Sequence, residues 1–221
     1  MTTPTSHRGS RGISTAEILV GASISLVLLS VAQSYFVTQQ RMLLVQSAYA
    51  QSQNVTRTFT DLLSRELRMA SYDPSGTAIT LGASGAGVTC PSVRQGITEA
   101  TPTSVQFLSD LNGDGDTADS NENVRYALSG TQIQRTDGGG AALTLVDGVP
   151  SGGLVFTYYN NSNPPTELTP SGNPLAVSAS NRDCIAKVRV RVTAQLSDPQ
   201  FTNINPLVSA IESEVAIRNR S

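Results

Sequence analysis

"RGISTAEILV", residues 11–20, sets a carboxylate, Glu17, at the entrance of a long apolar run and places an Arg-Gly-Ile step just ahead of it. From Ile18 through Gln40 no charged residue occurs, which gives 23 uncharged positions before Arg41. A helix of that length crosses a hydrocarbon core of about 30 Å. The polar residues ahead of it, "MTTPTSHRGSRG", carry Arg8 and Arg11, so the N-terminus is expected on the cytoplasmic side. "SVAQS" (30–34) is a weak cleavage-like patch, which keeps an ordinary secretory signal open as a second reading.

The helix does not stop with the apolar run. From Val37 to Ala70 there is neither proline nor glycine, and Val55, Phe59, Leu62, Leu63, Leu67 and Ala70 recur at helical spacing. Arg57, Asp61, Arg65 and Arg68 lie off that stripe, and Pro74 and Gly76 supply a stop. One helix over about 14–71 is expected, nearly 90 Å long at about 1.5 Å per residue. Its segments are a leader at 1–12, a membrane or core-forming part at 13–36 and an amphipathic part at 37–71.

Residues 72–221 read as a β-rich head. Alternation predicts strands at 104–108, 123–128, 131–135, 152–160, 186–196 and 213–219, with a Pro- and Asn-rich loop at 160–174. The 186–196 run is the plainest, with Val188, Val190, Val192 and Ala194 alternating with Lys187, Arg189, Arg191 and Thr193. The fold class expected is α+β, with the amphipathic half of the helix laid on antiparallel sheet.

Composition narrows the function. Only 14% of residues are charged and the net charge is −2, so no broad basic field invites nucleic acid. The single histidine, His7, lies in the leader, which leaves the rest of the chain without a histidine base or a Ser-His or Cys-His pair. No enzyme is expected. Cys90 and Cys184 show no zinc spacing. Outside the cytoplasm they are expected to pair, closing a loop worth about 4–5 kcal/mol in the chain-entropy model. Two separate buried thiols are the alternative.

"DLNGDGDTADSNENVRY" (110–126) is the candidate metal loop. Asp110, Asn112, Asp114 and Asp116 alternate around Gly115 in the order that opens a calcium-binding loop, and oxygen ligands at every second residue wrap a hard cation. The twelfth position is Asn121, so Asp119 or Glu122 is expected to take the place of the usual glutamate. The competing reading is a solvated hairpin turn, because Asn-Gly and Asp-Gly favour turns without any ion.

The opening residues resemble the processing site of the type IV pilin-like superfamily: basic residues, a glycine, a short stretch, a glutamate and an apolar helix. That resemblance implies cleavage by prepilin peptidase between Gly12 and Ile13, methylation of the new amine on Ile13, and pairing of Glu17 with the freed amine of a neighbouring subunit. Ile13 stands where the superfamily usually has phenylalanine or methionine. "ELRMASYDPSG" (66–76) is similar to the helix end of the PilW minor pilins. The resemblance implies a minor pilin that waits in the inner membrane as a single-pass protein and then joins other pilin subunits in a surface pilus or its initiating tip complex. A type II secretion pseudopilin shares the same start. An anchored, calcium-dependent adhesin or binding module that never polymerises is the alternative of another class.

Overall fold

The computed structural model describes residues 12, 14–79, 96–172, 175–196 and 207–218. The chain divides into two compact units, Met1–Ser47 and Ala48–Ser221. The described part of the first unit is the beginning of α1 (Thr15–Met69). Most of its large apolar side chains lie exposed, among them Ile18, Leu26, Leu29 and Phe36.

In the second unit the remainder of α1 joins two antiparallel sheets, so the fold is α+β. The first sheet is a five-stranded meander in the order β1 (Ile97–Ala100), β2 (Ser104–Leu108), β3 (Asn123–Ser129), β4 (Gln132–Asp137) and β5 (Leu143–Val146). The second orders β6 (Leu154–Tyr159), β7 (Lys187–Leu196) and β8 (Leu207–Ala216), with the four-residue helix α2 (Ala179–Arg182) between β6 and β7.

Strand alternation builds one shared core. Val105 and Phe107 of β2 stand opposite Tyr126 and Val124 of β3, all facing inward. Leu154, Phe156 and Tyr158 of β6 oppose Val192, Val190 and Val188 of β7, again all buried. Phe59, Leu63, Leu67 and Ala70 of α1 belong to the same cluster. Phe59 meets the Tyr126 ring edge-on, with centroids 5.9 Å apart, an arrangement that the ring quadrupoles favour. The hydroxyl of Tyr158 crosses between the sheets and donates to the carbonyls of Thr101 (2.7 Å) and Ser104 (3.0 Å).

The buried helical stripe differs from the expected one at its start. Val55 is exposed, and Thr56 and Thr60 are buried in its place. Each threonine hydroxyl donates to the carbonyl four residues back, at 2.8 Å, which removes the cost of burying it. The helix ends earlier than Pro74 because Ser71 turns left-handed at φ 66°, and its N–H then donates to the carbonyl of Leu108 at 2.9 Å. Gly96 packs against this turn. A Cβ there would lie 2.0 Å from the Ser71 hydroxyl and 2.4 Å from its backbone nitrogen, so no larger residue fits.

Two strand expectations need correction. The last strand runs Leu207–Ala216 rather than 213–219, because β8 pairs with β7 in unbroken register along its whole length. The strands β1 and β5 and the helix α2 had no counterpart in the sequence reading.

Among the described residues, two of the three cations on the polar face of β7 carry ion pairs. Lys187 meets Glu214 at 2.6 Å, and Arg189 meets Glu212 at 3.4 Å and Glu214 at 3.2 Å. Arg189 also lies over the ring of Tyr159, 5.0 Å from its centroid. Exposed pairs of this kind are screened by solvent and add little to stability, so they bear on register and surface chemistry instead.

Candidate functional site

Within the first unit, Gly12 is exposed coil just ahead of the helix, and Ile13 lies outside the described residues. Ser14 starts the helix, its carbonyl accepting the N–H groups of Glu17 (3.0 Å) and Ile18 (3.2 Å). Glu17 therefore occupies the first turn, where the unpaired N–H groups favour a carboxylate by about 0.3–1 kcal/mol. α1 is long and apolar enough to cross a membrane.

Several of its hydroxyl side chains turn back onto the helix backbone, a feature the sequence reading missed. The hydroxyls of Ser23, Ser25, Ser30 and Ser34 each donate to a carbonyl three or four residues back at 2.8 Å, and Thr38 does so at 2.9 Å. No donor of these five is left facing the helix exterior, as hydrocarbon or a packed helical bundle requires.

Within the second unit, the acidic loop between β2 and β3 is held from inside. Asp110 is fully buried and accepts the N–H groups of Gly113 (2.6 Å) and Gly115 (3.1 Å). Gly113 and Gly115 sit at φ 78° and 95°, a left-handed backbone that glycine adopts freely. Glu122, also buried, accepts the N–H groups of Leu111 (2.8 Å), Asn112 (3.3 Å) and Asp119 (3.3 Å). These two inward carboxylates fold the loop.

Asp114, Asp116 and Asp119 remain at the surface. The amide of Asn112 donates to both Asp114 (3.0 Å) and Asp119 (2.7 Å), and Asp116 accepts the N–H of Ala118 at 2.8 Å. The negative charge of Asp114 pushes the Asp119 carboxyl above its usual range, with Glu122 and Asp116 adding to it. The N–H of Asp116 holds Asp114 below its usual range. The six expected ligands thus share one loop without converging: among the described residues no three acidic, histidine or cysteine side chains surround a common point at metal-holding distance.

The loop is wired to the end of α1 through residues that spacing alone did not single out. Asn121, at φ 69°, accepts from Arg135 at 2.7 Å. Arg135 reaches Glu66 of α1 at 3.2 Å, and the Tyr126 hydroxyl donates to the same Glu66 oxygen at 2.6 Å. Burial pushes the Tyr126 phenol well above its ordinary range and keeps it a donor. On the other side, Ser75 donates to Asp110 at 3.3 Å, and Asp73 gathers the N–H groups of Gly76 (2.8 Å) and Ile79 (3.0 Å).

Cys184 is buried and is not a free thiol. Cys90, its expected partner, lies outside the described residues. No family model, curated protein or solved structure matches this chain.

Proposed function

We propose that the chain is a minor pilin of the PilW kind. In this reading it is cut after Gly12 by prepilin peptidase and held in the inner membrane with its N-terminus cytoplasmic. It then assembles with other pilin subunits through its N-terminal helix into a surface pilus or its tip complex. The observation that carries the reading is the placement of Glu17: a lone carboxylate in the first turn of a 55-residue helix whose next large apolar side chains, from Ile18 to Phe36, stand exposed. In hydrocarbon such a carboxylate costs about 2.5–3.5 kcal/mol on translocon scales. A neighbour's freed amine offsets that cost only when the two subunits are in register, so the penalty selects the assembled state. The internally bonded hydroxyls of the helix suit both the membrane and the filament core.

Sheared surface filaments test this. The protein is expected in them, beginning at Ile13. Filaments that lack it, with the protein left in the membrane, favour the anchored binding module; its recovery in a secretion pseudopilus favours the pseudopilin. The reading includes a Cys90–Cys184 bridge in the head, as an extracytoplasmic domain permits.

Calcium belongs to the same proposal as the ion of the 110–122 loop. The support is the gathering of the carboxylates Asp114, Glu122 and Asp116 around Asp119, whose crowded negative charge a hard cation relieves. Binding would require the Asn112 amide to turn its oxygen toward the ion. Millimolar calcium is expected to raise the melting temperature of the wild-type protein, and Asp114→Ala to remove the rise. An unchanged melting curve in saturating calcium would exclude the ion.

A further inference from the structure

A groove of about 460 Å³ runs beside the C-terminal end of α1, within the size range of sites that hold a ligand. Its exposed apolar surface is made by Met69 and Leu111, 39% and 43% exposed, with the buried Phe107 beneath them. Three arginines border it: Arg65 and Arg68, three residues apart on α1, and Arg218 just beyond β8. The one carboxylate in the wall, Glu66, is already engaged by Tyr126 and Arg135. Arg65 and Arg218 are exposed and make no ion pair among the described residues.

This concentration of cations is unusual in a chain whose net charge is −2. Met and Arg are also the side chains that protein interfaces enrich, and buried apolar anchors with arginines around them carry most of the affinity where partners dock. The cations come from two different parts of the chain and border the same apolar lining. That layout suits an extended segment with apolar side chains in the middle and acids at both ends. It suits an isolated anion poorly, because a single phosphate or carboxylate would leave Met69 and Leu111 uncovered.

We infer that this groove docks a short segment of a partner protein in which apolar residues are flanked by Asp or Glu. The apolar side chains cover Met69 and Leu111, and the flanking carboxylates take Arg65 and Arg218 as charge-assisted partners. The inference goes beyond the filament reading and does not depend on it, since the groove lies wholly within the second unit.

The test uses the full chain in phosphatidylcholine nanodiscs, which supply no anionic lipid. Three pools of fluorescein-labelled, end-blocked tetrapeptides are titrated by anisotropy. The first has Asp or Glu at both ends and Leu, Ile, Met or Phe in the middle; the second has lysine ends with the same middle; the third has acidic ends with a serine middle. The first pool is expected to bind at least about tenfold more tightly than either control and to weaken as salt rises. Arg65→Ser with Arg218→Ser is expected to reduce that binding about tenfold or more while the melting temperature stays at the wild-type value. Leu111→Ser, which spares every charge, is expected to weaken the first pool and leave the serine pool unchanged. An acidic-apolar pool that binds no better than either control, or equally well to the arginine double variant, would overturn the inference.

Discussion

Glu17→Ala, made in normal amounts and cut normally after Gly12, is expected to disappear from sheared filaments, falling at least about tenfold below wild type, while its level in the membrane is unchanged or higher. The physical reason is an asymmetry between two environments. In the bilayer, removing the carboxylate relieves a burial cost of about 2.5–3.5 kcal/mol. In the proposed filament the same change would leave a neighbour's amine buried without a partner, and breaking a buried ion pair costs about 3–5 kcal/mol. Membrane insertion is therefore eased and assembly is penalised. Equal incorporation of the variant, measured by immunoblot of filament and membrane fractions, would remove the role assigned to Glu17.

The second large effect belongs to the head. Leu63 is fully buried at the centre of the stripe that α1 lends to the shared core. Leu63→Ala deletes that packing and leaves a cavity, at a cost of about 2–5 kcal/mol. For a protein of this size each kcal/mol lowers the melting temperature by about 2–4 °C, so a fall of roughly 4–20 °C is expected. Val55→Ala, at a position the stripe leaves exposed, is expected to stay within about 0.5 kcal/mol of wild type. Calorimetry of both variants in nanodiscs compares them directly. Similar melting temperatures for the two would show that α1 is not part of the head's core.

The contrast between those two positions shows how much the sequence disclosed. Phe59, Leu63 and Leu67 declare themselves by period and apolarity, and all three are buried. Thr56 and Thr60 do not, because their burial depends on hydroxyls that turn back onto the helix backbone. β7 was legible because its inward positions are all apolar. β8 was not, because serines at 209 and 213 alternate with Ile211 and Val215 on its inner side. Only the register with β7 reveals the period, and the same register brings Glu212 and Glu214 to the arginine and lysine they pair with. β1 and β5 span four residues each, too few for alternation to stand out from loop.

The acidic loop divides in the same way. Spacing picked out Asp110, Asn112, Asp114 and Asp116 as one set. Folding separates them by burial, with Asp110 and Glu122 drawn inside to hold backbone N–H groups and the others left outside. The Asn121–Arg135–Glu66 chain that fastens the loop to α1 joins residues up to 69 positions apart, and no local pattern announces contacts of that range.

The most direct measurement is the intact mass of the protein isolated from its own cells. The account predicts a chain that begins at Ile13 and carries one extra methyl group on its amine. A chain that still holds residues 1–12, or one that starts near residue 33 after ordinary signal cleavage, would contradict it.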